Sequence, residues 1–201
     1  MPVRNVRWSN ILSFKTIYFF PSNSQNQIPM PCACKVPAED YPESADWGPL
    51  FWKIIHTLSL HSGTMTNKIA QEDEVREWTR FTKALIKALP CDDCRNHYQS
   101  YLASHPYETV SNGPYQLFAN HNKFWWYSFH NSVNARLGKP SFDYNNLQTT
   151  YETICVPATL AALQPVMKKA IRLGGVGLLS WNTFLKSCKL LISYYGVYKT
   201  N

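Results

Sequence analysis

The sequence predicts an all-α protein: a compact four-helix bundle with a short fifth helix, an N-terminal arm and an additional helical C-terminal tail. Two observations support this. From Met1 to Tyr144 no stretch sustains the period-two alternation of a strand, while apolar residues recur at steps of three and four. Each periodic stretch is closed by proline, glycine or a polar cap, and the connections are short enough for neighbouring helices to pack as a bundle.

The arm spans residues 1–45. It has no sustained period and carries Pro21, Pro29, Pro31, Pro37 and Pro42, each of which removes a backbone donor. Asp46 is placed to cap a first helix over Trp47 to His61, where Leu50, Phe51, Ile54, Leu58 and Leu60 lie at near-helical spacing. A second helix is expected after the polar, acidic run Gln71 to Glu77, whose charges suit a helix N-terminus. It continues through Trp78, Phe81, Leu85 and Leu89 until Pro90 stops it. A third starts at Cys91 and runs past Tyr98 to Leu102, and His105-Pro106 ends it, because a residue before proline avoids helical geometry. After a loop holding Asn112-Gly113-Pro114, the long fourth helix covers Tyr115 to Leu137, with Gly138 and Pro140 closing it. A short fifth helix follows Asn145 to about Thr153. The tail then offers helices around Leu160 to Leu173 and Leu179 to Ile192, separated by Gly174, Gly175 and Gly177. The domain reading is an arm (1–45), a helical core (46–155) and a C-terminal extension (156–201).

At 201 residues and 45% hydrophobic content there is enough apolar side chain for one packed interior. The net charge of +7 lies at the ends of the chain. Residues 1–38 hold Arg4, Arg7, Lys15 and Lys35 with no acid, and residues 150–201 set six basic groups against Glu152, while the middle is nearly balanced. A nucleic-acid surface needs a basic stripe interleaved with aromatics on the folded part, which the middle does not supply, so no nucleic-acid partner is expected. The most apolar stretch, Ile171 to Tyr198, is broken by Arg172, Lys186, Lys189 and glycines. No spanning helix is expected, and a tail lying on a membrane surface is the only membrane contact the pattern allows. The first twenty residues are basic and acid-free, as in a targeting presequence, but lack the small-residue cleavage site of a secretory signal.

Four of the six cysteines fall in close pairs, Cys32/Cys34 and Cys91/Cys94, and Cys155 and Cys188 stand alone. Cys91-Asp92-Asp93-Cys94 brings two sulfurs within disulfide reach at a helix start, where the dipole favours a thiolate and the two aspartates oppose it. Alone, the pair is open to three readings. It could form a zinc site with Cys32/Cys34, although the long gap between the pairs is unusual for a zinc ribbon. It could be a redox pair, although the βαβ context of a thioredoxin site is missing. It could also be a plain structural disulfide.

Trp52 and His56 are four apart on the first helix, and His130 and Asn134 are four apart on the fourth, so each pair shares a face. Such residues serve either as satisfied core groups or as the lining of a flat polar cofactor, with rings to stack on it, His and Asn to hydrogen-bond it and Lys139 to reach a phosphate.

Three stretches together resemble the Erv/ALR sulfhydryl oxidases. They are Trp47-Gly48-Pro49-Leu50-Phe51-Trp52-Lys53-Ile54-Ile55-His56-Thr57, Cys91-Asp92-Asp93-Cys94-Arg95-Asn96-His97-Tyr98, and His130-Asn131-Ser132-Val133-Asn134-Ala135-Arg136-Leu137-Gly138-Lys139-Pro140. They occur in that family's order and near its spacing, over residues 47 to about 143. The resemblance implies a bundle holding FAD beside a redox disulfide, usually in a homodimer, with no metal. The expected reaction takes electrons from thiol-containing protein substrates, such as a thioredoxin-like or CxxC relay protein, and passes them to O2, leaving H2O2.

By the same resemblance Cys94 lies next to the flavin and Cys91 exchanges with incoming dithiols. Trp52, His56, His130, Asn131, Asn134 and Lys139 match FAD-contacting positions, and Gly48 and Val133 match backbone or packing contacts. His61 stands at a further FAD-contacting position, where relatives often have tyrosine. Relatives also carry a shuttle pair on an arm, a role that falls to Cys32 and Cys34. The structural cysteine that often follows the lysine-proline motif is missing, since Phe142-Asp143 leads to Tyr144. Cys155 and Cys188 could pair or remain two buried thiols. Oxidases with unfamiliar extensions resemble those of large DNA viruses. A viral origin implies the infected-cell cytoplasm or the virion, and the alternative is the mitochondrial intermembrane space. A zinc-binding module and a flavin-free helical scaffold are the rival readings.

Overall fold

The computed structural model describes residues 40–196. Eight α-helices follow one another: α1 (Ser44–Leu60), α2 (Lys68–Ala88), α3 (Asp92–Ser104), α4 (Glu108–Ser111), α5 (Tyr115–Arg136), α6 (Leu147–Tyr151), α7 (Val156–Arg172) and α8 (Leu178–Tyr195). A 3₁₀ turn at Tyr144–Asn146 leads into α6. No strand occurs among the described residues, in agreement with the all-α expectation. None of the helices is long and apolar enough to cross a membrane.

Most helix starts lie a few residues from where the sequence suggests. α1 begins at Ser44, ahead of the expected Asp46 cap. Asp46 instead sits in the first turn, where its carboxylate accepts the Glu43 N–H at 2.8 Å. α2 begins at Lys68, because the Asn67 side chain accepts the Ala70 N–H at 2.9 Å and so caps the helix before the acidic run. The acids are therefore not a dipole-matching first turn. Glu74 and Glu77 lie inside the helix on its buried face. Glu74 accepts hydrogen bonds from the hydroxyls of Tyr115 and Tyr195 and from the Gly63 N–H, which joins α2 to α5, α8 and the α1–α2 loop. The stretch from Pro106 to Asn112, expected as loop, contains the single turn α4. α7 starts at Val156, since Pro157 falls in the first turn, where a missing N–H costs nothing. The long α5 ends as expected, with Gly138 at φ +63° after its last turn.

One apolar cluster runs from Trp47 in α1 to Ile192 in α8. α8 packs along α2, and α7 and α5 pack along α1. Phe184 of α8 meets Phe51 and Phe81 at ring-centroid distances of 5.4 and 5.1 Å. Leu163, Met167, Phe184 and Leu191 of the tail are fully buried, and each such side chain contributes about 1.5–3 kcal/mol. The tail is thus held by the same force as the bundle, and residues 156–195 share its interior. Cys155 and Cys188 are free thiols. Cys155 caps α7 half-buried, and Cys188 lies inside the core, where burial pushes its thiol up to about 12.

Candidate active site

Pro90 ends the segment after α2, and the chain turns directly into α3 with Cys91 as its N-cap. The Cys91 sulfur accepts the Cys94 N–H at 3.2 Å, so both sulfurs lie on the first turn, half-buried and as free thiols. Asp92 and Asp93 point to solvent. The Cys94 thiol is pushed up to about 11, first by burial and then by the neighbouring Cys91. Arg136, at the end of α5, opposes this with its Nη2 at 3.8 Å from the Cys94 sulfur. In the sequence the helix dipole and the two aspartates were the visible influences, but burial decides. Nothing local in the sequence marks Arg136 as a site residue, because only the fold brings the end of α5 to the start of α3.

A second constellation forms where α1 meets α5. Trp52 stacks on His130 at 4.1 Å with the planes 13° apart, and on His56 at 5.6 Å and 21°. His56 Nε2 and His130 Nδ1 are 2.9 Å apart, so one ring donates to the other. Burial lowers both imidazoles, His56 to about 3 with help from His130 and His130 to about 4 with help from Lys139. Both are therefore neutral near pH 7. His56 Nδ1 is buried without a hydrogen-bond partner, an orphan that a polar ligand could satisfy.

Contiguous rings join the two constellations. His97, one turn beyond Cys94, stacks on Phe129 at 6.0 Å and bonds Ser132 at 3.1 Å, and Phe129 meets Trp52 at 5.4 Å. The structure thus places Cys94, Arg136 and His97 at one end of a band of rings and Trp52, His130 and His56 at the other.

The remaining candidates are disposed differently. Asn131 uses its amide on the following loop, donating to the Phe142 carbonyl at 3.0 Å and accepting the Phe142 N–H at 2.8 Å. This sets the Phe142 ring against His130 at 5.9 Å. Asn134 lies beside Asn131, donating to its oxygen at 3.4 Å, and its own carbonyl accepts the Lys139 N–H at 2.8 Å. Lys139 is exposed, and Val133 packs on the core edge. Gly48 is half-buried with open space where a side chain would stand. His61 stacks on Tyr195 of α8 at 6.2 Å and lies apart from this group. Cys32 and Cys34 lie outside the described residues.

The arrangement can hold a planar polar group, with a stacking face from the side of the half-buried Trp52 ring turned away from the two imidazoles, the orphaned His56 nitrogen as a hydrogen-bond partner, and the cations Lys139 and Arg136 for an anionic appendage. Surface clefts of about 620 and 450 Å³ occur elsewhere and include none of these residues. No group of three His, Cys, Asp or Glu among the described residues is placed to hold a metal ion.

Comparison with known proteins agrees with this geometry. The Erv1 / Alr family model matches residues 49–152, just over half of the chain. The FAD-linked sulfhydryl oxidase of African swine fever virus (isolate Tick/Malawi/Lil 20-1/1983) is 30% identical over 106 residues, which are 53% of this chain and 80% of the viral protein. That of isolate Pig/Kenya/KEN-50/1950 is 29% identical with the same coverage. The putative FAD-linked sulfhydryl oxidase 096R of Invertebrate iridescent virus 3 is 31% identical over 94 residues, 47% of this chain and 57% of its own. No solved structure matches. α7 and α8 lie beyond the family match.

Proposed function

Because the chain belongs to the Erv1 / Alr family, we propose that it is an FAD-linked thiol oxidase that makes disulfide bonds in protein substrates. The observation that supports this most is the continuous band of rings from His97, one turn beyond Cys94, to the Trp52, His130 and His56 stack. In the oxidised enzyme Cys91 and Cys94 share a disulfide. A substrate thiolate attacks the Cys91 sulfur, the S–S bond breaks, and Cys94 leaves with the electron pair. The substrate's second thiol then displaces Cys91, so the substrate gains a disulfide and the enzyme pair gains two electrons.

FAD bound here would accept those two electrons and release them to O2, which with two protons gives H2O2. The chain's own residues prepare that transfer. Arg136 offsets the charge that burial disfavours on Cys94, and the Trp52 ring, backed by His130, supplies a flat face. Neutral His56 offers its free nitrogen as a hydrogen-bond partner, while Lys139 supplies positive charge beyond the rings. Asn131 and Asn134, in the last turns of α5, hold the loop that carries Lys139, and Gly48 and Val133 are assigned as backbone or packing contacts. We assign the shuttle role to Cys32 and Cys34.

Oxygen uptake on adding dithiothreitol, with peroxide accumulating, tests the activity; a purified chain that consumes no oxygen would end this reading. The shuttle assignment expects that Cys32→Ser with Cys34→Ser slows reduced protein substrates several-fold more than dithiothreitol. Equal losses on both would remove that role.

The homodimer implied by the resemblance completes the proposal. The faces of α1 and α2 that meet α7 and α8 are already buried, so a second copy would have to use another surface. Sedimentation at about twice the 23.2 kDa chain mass is the expected result, and a single-chain mass at all concentrations would contradict it.

A further inference from the structure

Every carbonyl leading into the redox pair is held. The Leu89 carbonyl accepts from the Arg95 guanidinium, the Pro90 carbonyl accepts from the Tyr41 hydroxyl at 2.8 Å, and the Cys91 carbonyl accepts the Arg95 N–H at 3.0 Å. Arg95 also pairs with Asp92 and donates to the Gly175 carbonyl at 3.2 Å. Gly175 belongs to the α7–α8 turn, beyond the residues shared with the family. The Tyr41 ring lies directly over it: a Cβ on Gly175 would stand 1.9 Å from the phenol oxygen and 2.4 Å from the ring carbon bearing it. The φ of Gly175 is not positive, so what the missing side chain supplies here is room. The phenol of Tyr41 is raised by burial, with Arg95 opposing and Asp92 and Cys91 adding, which places it within electrostatic reach of all three.

We infer that the α7–α8 turn is a positioning element for the redox pair. By leaving space for Tyr41 at Gly175 and accepting from Arg95, it fixes the Leu89–Cys91 backbone and with it the approach of the Cys91 and Cys94 sulfurs. The inference rests on Cys91 and Cys94 being an exchanging pair. A protein disulfide resists an external thiol to the extent that its two sulfurs are held at high effective concentration. Loosening the Pro90–Cys91 backbone lowers that concentration and favours the dithiol, whereas a merely structural contact would change thermal stability and leave the thiol equilibrium where it was.

The test uses the full chain in anaerobic glutathione buffers, where the enzyme disulfide and two glutathione thiols exchange with the enzyme dithiol and glutathione disulfide. The state of Cys91 and Cys94 is read by alkylation and peptide mass. Tyr41→Ala and Gly175→Ala are each expected to shift the equilibrium towards the dithiol by roughly three- to tenfold, the factor carried by one hydrogen bond of ordinary net strength. Tyr41→Phe, which keeps the ring and loses only the bond to Pro90, is expected to move it the same way. Because Gly175→Ala acts by displacing Tyr41, it should add nothing in the Tyr41→Ala background. An unchanged equilibrium in Tyr41→Ala and Tyr41→Phe, or an additive double variant, would overturn the inference while leaving the thiol oxidase reading intact. Failure of the unaltered chain to form the Cys91–Cys94 disulfide in any buffer would overturn both.

Discussion

Cys94→Ser is expected to reduce dithiol-dependent oxygen uptake to the uncatalysed background while bound flavin is retained. A serine hydroxyl neither forms the enzyme disulfide nor carries the electron pair released when it opens, so no partial route remains. The groups suited to holding the cofactor, Trp52, His56 and His130, belong to α1 and α5, not to the CxxC turn. Cys94 is half-buried beside Arg136, and serine is slightly smaller, so the fold should accept the change with little loss of stability. Oxygen consumption and flavin absorbance on the same preparation separate the two effects. Normal turnover in Cys94→Ser would remove the role given to that sulfur, and loss of flavin would mean that Cys94 belongs to the binding surface.

The second large effect is on stability as pH falls. His56 and His130 are held neutral in the folded chain down to about pH 3 and about pH 4, mainly by burial, whereas in the unfolded chain each takes up a proton near pH 6.5. Below pH 6.5 the unfolded state therefore binds more protons, and stability must fall as pH falls until the folded-state values are reached. Each proton contributes up to about 1.4 kcal/mol per pH unit in that window. A loss on the order of several kcal/mol between pH 6.5 and pH 4 is a large part of the stability of an ordinary domain. Urea denaturation at pH 7, 6, 5 and 4 measures the slope, and His56→Phe should flatten it by about one proton. A flat profile over that range would mean that the pair is solvated and charged, and the stacked arrangement would be wrong.

Sequence legibility followed the range of the interactions involved. The N-terminus of α3 with its cysteines and the glycine-closed end of α5 were readable, because proline, cap and glycine act within a few residues. The face shared by Trp52 and His56 was readable from helical spacing. The start of α2 differs from the expected one because a run of acids looks the same at a helix N-terminus and on a buried face. The Asn67 cap ahead of the run, and the Gly63 N–H and the two tyrosines that reach Glu74, distinguish these cases. Asn131 shows the same limit, since the sequence supplies an amide on the right face but not its partner, which is the Phe142 backbone. Arg136, Tyr41 and Gly175 depend on contacts between segments far apart in the chain, and no local pattern announces them.

Everything in the proposed reaction depends on FAD binding against Cys94 and taking electrons from it. The most direct measurement is the absorbance spectrum of the purified chain, saturated with FAD and freed of excess, before and after anaerobic addition of a dithiol and then on admitting air. The expected result is about one bound flavin per chain, bleached by the dithiol and restored by oxygen. A chain that retains no flavin, or one whose yellow absorbance does not respond to the dithiol, would contradict it.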